Sequence, residues 1–441
     1  MVLALSGWAV EDTACDPVHA TAHLDGGRVR LEPSPAPAGP PRSLLVPGLV
    51  NLHEHLRAMM PTGRRSEGAP LREVITAASR VQEVATAQDY EVLTALGSAR
   101  QVRAGVTSVV DHVYPLHRPD LLAGAVRGHQ RVGLRASVAL GVITEGYEPI
   151  RAGLEEVVAL AARAADDLLP REQLFLAPVS LRQTSVEAYS GAAVAADREG
   201  LRLYTHIAET AEEVDRCVAE HGVRPVELLH RVGFLRPGTV LVHCLHLTDA
   251  EIELLAATGT QVAYCPTNHL RFAKGFARVV DLLEAGVLVG LGVDGMESVL
   301  HEMRQAVYAQ GQAQQDTAAL GSDAAFAMAT TQGARALDVP GVSGRISDAP
   351  DLVRLDTSRS ATQPLVDPVW TLVHRAGPQD VTDVVIDGRT VVRDRTLVTI
   401  DEDALVDQAT LHTRRLAERA GSLVTDDWKL HPTALAPAGH D

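Results

Sequence analysis

Two histidines one residue apart, His53 and His55, follow the apolar run Leu44-Leu45-Val46-Pro47-Gly48-Leu49-Val50-Asn51. Side chains alternate faces along an extended chain, so positions i and i+2 point the same way and two imidazoles can meet one ion. Alone the pair says little: a chain with 18 histidines in 441 residues holds such a spacing by chance about once. The weight comes from a recurrence. Short apolar runs end in His206 with Glu209 three residues on, in His243, and in Asp294. Three imidazoles (His53, His55, His206) and the Asp294 carboxylate make a shell for one zinc-like divalent ion, with a position left for a water that the ion acidifies. Glu209 can reach the open side without being a ligand, and His243 can take a proton from the water. A base and an acid flanking an activated water is the layout of hydrolysis by addition and elimination.

Such residues need elements to hold them at one end of a scaffold. The candidate strands are Leu44–Val50, Val106–Asp111, Leu134–Leu140, Leu174–Val179, Leu201–His206, Val240–His243, Gln261–Cys265 and Val287–Val293. Amphipathic stretches at Arg72–Val84, Leu154–Ala165, Ala211–Glu220, Ala250–Ala257 and Arg278–Ala285 lie between them. Eight alternating steps favour a closed (β/α)8 barrel over an open doubly wound sheet, and its active site lies at the carboxyl ends of the strands. After about Val342 short β segments return, with an Asp387-Gly388 hairpin signal between apolar runs. The expected organisation is a barrel over 44–342, a small β-sandwich from 1–43 and 343–400, and a helical tail over 401–441.

The totals bound the partners. A net charge of −16 argues against a nucleic-acid backbone. No apolar run approaches a membrane span and the start lacks a basic leader, so a cytoplasmic enzyme with a small-molecule substrate is expected. Cys15, Cys217, Cys244 and Cys265 show no C-x-x-C and indicate neither a disulfide framework nor a cysteine metal site. Gly290-x-Gly292-x-x-Gly295 matches a dinucleotide fingerprint, but helical sequence continues where a second strand with its acidic residue belongs, so no nucleotide cofactor is expected. Of His243 and His246, the one that ends the strand is preferred. Asp111 and His112 are read as structural, and Cys244 and Cys265 as small core residues.

At this point the chain resembles the amidohydrolase superfamily, in its cytosine deaminase and triazine hydrolase branch. The matching segments are Pro47 to Leu56, Gly105 to Asp111, His206-Ile207-Ala208-Glu209, Val242 to Thr248, Cys265-Pro266-Thr267-Asn268 and Gly290 to Gly295. The resemblance implies metal ligands at His53, His55, His206 and Asp294, with Glu209 and His243 as the proton-transfer pair and Glu209 serving a substrate ring nitrogen. It implies zinc first, iron as the alternative, and a homo-oligomer, a dimer by analogy. Some superfamily members bridge two metals with a carbamylated lysine. Only Lys274, in a loop after the seventh strand, and Lys429, in the tail, are lysines here, and neither fills that place, so one metal is expected.

The departures concern the substrate. After strand four the chain reads Pro178-Val179-Ser180-Leu181-Arg182, where the resembling families carry Pro and then a polar residue or His, so Arg182 becomes a candidate contact. Asn268-His269 replaces their Ser-Asn, and both are candidate contacts too. Arg57, Arg64, Arg65 and Arg182 suit an acidic or carbonyl-rich substrate. The expected reaction is deamination of an amino-substituted N-heterocycle of purine, pyrimidine, pterin or triazine type. Dechlorination or cyclic amide opening at the same site is the alternative, and a barrel that only binds a ligand is the third reading.

Overall fold

The computed structural model describes residues 4–12, 16–25, 28–57, 67–69, 71–347 and 349–421. Cys15, Arg64, Arg65, Lys429 and the tail beyond 421 lie outside them. The chain opens with β1 (Ala4–Ala9), β2 (Val18–Asp25), β3 (Arg28–Pro33) and β4 (Ser43–Val46). Eight strands follow: β5 (Leu49–Glu54), β6 (Val106–Val113), β7 (Arg135–Val142), β8 (Leu174–Pro178), β9 (Arg202–Ile207), β10 (Val240–His243), β11 (Gln261–Tyr264) and β12 (Val289–Leu291). The last are β13 (Leu352–Asp356), β14 (Val381–Ile386), β15 (Arg389–Arg393) and β16 (Thr396–Leu397), before a helix at Glu402–Ala420.

Strands β5 to β12 pair in chain order, each parallel to the next, and form a (β/α)8 barrel. Its interior is filled by alternate residues, among them Val50, Leu52, Val110, Phe175, Tyr204 and Val242, as the period of two requires. The ring closes just past β12, where the amides of Val293 and Asp294 both donate to His53 O at 3.0 Å. At this seam a Cβ on Gly290 would lie 2.5 Å from Leu52 Cδ1, and one on Gly292 2.7 Å from His53 Cβ. The apparent dinucleotide fingerprint is therefore a pair of glycines that let the first and last strands approach, together with Gly295, whose φ is +74°.

The expected single strand Leu44–Val50 is two strands. Ser43–Val46 pairs with β1 and β13, while Leu49–Glu54 pairs with β6. Pro47 has no N–H to give a ladder, and a Cβ on Gly48 would meet Thr107 Oγ1 at 2.1 Å, so the chain leaves one sheet and enters the other at Pro47-Gly48. The terminal strands form one continuous sheet, ordered β16-β15-β14-β13-β4-β1-β2-β3. It has its own small core, including Leu5, Ala22, Leu45, Leu352 and Val385. The Asp387-Gly388 hairpin forms with φ of +51° and +69°, the sign a two-residue I′ turn demands. Arg135, at the start of β7, ties barrel to sheet through a buried pair with Asp351 at 2.5 Å and a contact to Asp387. Among the described residues no helix is long and apolar enough to cross a membrane.

Candidate active site

All the predicted ligands meet at the carboxyl end of the barrel. His53 Nε2 lies 3.2 Å from Asp294 Oδ1 and 3.3 Å from His206 Nε2, and His55 Nε2 lies 3.6 Å from the same Asp294 oxygen. A tetrahedron with metal–nitrogen bonds of about 2.0–2.1 Å has edges of about 3.4 Å, close to all three separations. The other face of each ring fixes the tautomer. His53 Nδ1 lies 2.7 Å from Tyr204 Oη, which itself donates to Leu52 O at 2.9 Å. His55 Nδ1 donates to His112 O at 3.1 Å and His206 Nδ1 to Val179 O at 2.7 Å. Each Nδ1 thus carries the proton and each Nε2 presents a lone pair, so His53 and His206 turn two acceptors toward each other. That arrangement is repulsive unless a cation lies between them, and it is the outer-shell pattern of metal-bound histidine. Burial, then the neighbouring His53, pushes the His206 pKa down to about 4. Burial likewise drives His55 well below the usual imidazole range. Both rings stay neutral, as ligands must.

A buried polar network fixes these strand ends. Asn51 Oδ1 accepts from the amides of His53 at 3.1 Å and Val293 at 3.0 Å. Glu54 Oε1 accepts from His55 N at 2.8 Å and Gly295 N at 2.7 Å, while burial raises its carboxyl to about 8. Asp111 accepts from Leu56 N at 3.1 Å and sits 3.1 Å from His129, which is a structural task. Four residues at strand ends hold left-handed backbone: Ala208 (φ +49°), His243 (+75°), Cys244 (+48°) and Asp294 (+50°). Non-glycine residues pay strain there, and such outliers gather at functional sites. Cys244 and Cys265 are buried free thiols.

Glu209 and His243 face the same opening, with His243 Nε2 3.4 Å from Glu209 Oε1. Lys274 Nζ donates to Glu209 Oε1 at 2.6 Å, and Arg182 binds the other oxygen. Burial alone would raise the Glu209 pKa, but Lys274, His243 and Arg182 hold it well below the usual carboxylate range. Arg182 is itself held by Glu213 at 2.7 Å, and Glu213 accepts from the amides of Ala208 and Glu209. Asn268 lines the opening and its Oδ1 accepts from Lys274. His269 does not line it and sits behind His243, its Nε2 3.1 Å from His243 Nδ1. His246 is also absent from the opening.

The cleft above these groups has a volume of about 220 Å³. One part of the lining is apolar, with Leu71, Val74, Ile75 and Ala78 from the helix Leu71–Glu83, and Phe272, whose ring centroid lies 5.1 Å from Lys274 Nζ. The other is cationic and aromatic: Arg57, whose guanidinium lies 4.8 Å from the Tyr114 ring centroid, with Arg182 and Lys274. Lys274, Tyr204 and Tyr114 escaped the sequence reading. Only Lys274 carried a signal, as the one lysine ahead of the tail.

The ordered ligand set on a (β/α)8 barrel has counterparts among known proteins. A model of the amidohydrolase family matches residues 44–391. This chain is an amidohydrolase. It is 34% identical over 390 residues to the 5-methylthioadenosine/S-adenosylhomocysteine deaminase of Haloarcula marismortui, covering 86% of this chain and 88% of that one. It is also 34% identical over 376 residues to the 5'-deoxyadenosine deaminase of Methanothermobacter thermautotrophicus, covering 83% and 86%. A solved adenosine deaminase from Xanthomonas campestris with bound zinc superimposes with a TM-score of 0.84 at 28% identity, over 93% of this chain and 97% of that one. The amidohydrolase is a metal-dependent hydrolase of C–N bonds other than peptide bonds, and its substrate is a small molecule.

Proposed function

We propose that this amidohydrolase holds one zinc ion at His53, His55, His206 and Asp294 and deaminates an amino-substituted N-heterocycle. The observation that carries the reading is the convergence of three Nε2 lone pairs and one carboxylate oxygen beside the Glu209–His243 pair. The names of the two relatives above, both deaminases, support it. When bound, the ion acidifies the water that attacks the ring carbon bearing the amine. Glu209, ionised by its cationic neighbours, accepts one water proton and passes it to the adjacent ring nitrogen. His243 handles the second, which leaves with the amine as ammonia. The ring carbon keeps the water oxygen as a carbonyl, so atoms and charge balance. Asn268 and Arg182 border the ring, and the apolar wall takes a ring face or substituent.

The test is ammonia release by zinc-loaded protein across aminopurines, aminopyrimidines, aminopterins, aminotriazines and adenosyl compounds, with Glu209→Gln as control. Release that disappears in the variant supports deamination. A different leaving group, such as chloride, from the same protein would replace it. Light scattering of the same samples tests the homo-oligomer that the family resemblance implies.

A further inference from the structure

Lys274 has no part in the ligand set, yet it is buried in the cleft with its ammonium on the Glu209 carboxylate. The backbone is bent to bring it there: Ala273 before it has φ +51° and Gly275 after it +109°. A non-glycine residue in that conformation is strained and is kept where surrounding structure demands it. Its three ammonium hydrogens meet two partners among the described residues, Glu209 Oε1 at 2.6 Å and Asn268 Oδ1. The Nζ also lies 5.1 Å from the Phe272 ring centroid, and its third N–H has no oxygen or nitrogen acceptor among the described residues. Arg182 Nε is likewise buried without a partner among the described residues. This side of the cleft thus offers donors and asks for acceptors.

Resting on the deaminase reading, we propose that Lys274 is a specificity residue that selects rings carrying a carbonyl oxygen next to the nitrogen that Glu209 protonates. Glu209 Oε1 and Lys274 Nζ are 2.6 Å apart. A ring nitrogen and the oxygen on the neighbouring carbon are about 2.3 Å apart, from ordinary C–N and C=O lengths. The two protein atoms therefore match the two substrate atoms as a base-pair edge does, carboxylate to ring nitrogen and ammonium to oxygen. An adenine-type ring offers only a C–H at that carbon. It would leave a buried ammonium donor unmet, and sites built to bond a substrate group reject the analogue that lacks it strongly. The substrate class is then an amino-oxo heterocycle, distinct from the adenosyl compounds named for the relatives.

Matched pairs isolate the oxygen: adenine against 2-oxoadenine, and 4-aminopyrimidine against cytosine. The expected wild-type result is a kcat/KM at least about 100-fold higher for the oxo member. In Lys274→Met both members lose turnover through Glu209, and the ratio between them falls to within about tenfold. Lys274→Arg, which keeps a donor, retains part of the preference. Wild-type preference for the oxo-free member overturns the assignment, and so does an equal loss on both members in Lys274→Met at unchanged zinc content. Binding of rings without an amine separates this from failure of the deaminase reading. Zinc-loaded protein is titrated with 2-oxopyrimidine and with pyrimidine. A Lys274-dependent preference for the oxo ring without ammonia release from any pair overturns the deamination alone. The absence of any binding preference overturns the role of Lys274.

Discussion

Replacing Gly292 by alanine tests whether the barrel seam sets the metal site. The added Cβ would lie 2.7 Å from His53 Cβ and 2.8 Å from Cys265 Sγ, where ordinary contacts begin at 3.4 Å. His53 must retreat by about 0.7 Å to relieve it, and overpacking of this kind costs about 1–3 kcal/mol. Metal sites tolerate ligand displacements of about 0.2 Å, so the imidazole leaves its place in the shell. Gly290→Ala is the matched control. It presses Leu52 Cδ1, the end of a flexible side chain, at 2.5 Å, with Gly333 Cα at 3.1 Å. Zinc affinity, read by competition with a chromogenic chelator, is expected to fall about 10–100-fold in Gly292→Ala and little in Gly290→Ala, with both destabilised in urea. Wild-type zinc affinity in Gly292→Ala at full occupancy of the folded state would refute the reasoning. So would tight binding of a dinucleotide lost in both variants.

Three other outcomes follow from the geometry. Glu209→Gln retains zinc by metal analysis while turnover falls about 10²–10⁴-fold, the range for a lost acid–base group; loss of zinc instead would make Glu209 a ligand. Tyr204→Phe removes the acceptor 2.7 Å from His53 Nδ1 and lowers zinc affinity about 10–100-fold, with the fold intact by circular dichroism; unchanged affinity would show that Tyr204 does not orient the ring. Asp89 accepts from Thr86 N at 2.8 Å and His412 Nδ1 at 2.8 Å and binds Arg419, which docks the C-terminal helix. Burial acts to raise its pKa, but His412, Thr86 and Arg419 hold it below 3.8. A lowered folded-state pKa means stability present above about pH 3.8 and lost as pH falls further. Hydrogen exchange in helix Glu402–Ala420 should therefore quicken below that pH, and Asp89→Asn should show the loss, about 1.5–3 kcal/mol, already at neutral pH; a helix equally protected in both proteins would contradict this.

The barrel was legible because period-two apolar runs are strong local signals, and the strand-end polar residues stand out at their ends. The division at Pro47-Gly48 was harder to see. Leu44 to Val50 is uniformly apolar, and nothing local says that its first half belongs to a different sheet. The Asp387-Gly388 turn is a case where local chemistry suffices, since only that dipeptide conformation joins the two strands. The site divides similarly. His53, His55, His206, Glu209, His243 and Asp294 each announce themselves by position at or just past the carboxyl end of a strand, and the structure brings them together. Lys274 reaches Glu209 across 65 residues of chain through a loop bent by Ala273 and Gly275, and His269 turns behind His243 instead of toward the cleft. Such facts depend on loop conformation, which no periodicity encodes.

The closing hydrogen bonds from Val293 and Asp294 to His53 have a consequence for the order of events in biosynthesis. His53 and Asp294 are 241 positions apart, and one is inserted into the polymer long after the other. Until the eighth strand docks, the first strand offers only a histidine pair on an open edge. On the proposed ligand set, a ribosome-tethered chain ending before Asp294 would lack one ligand, so metal capture would wait on the final topological step. An ion held tightly at that proposed set would report that the ring is shut.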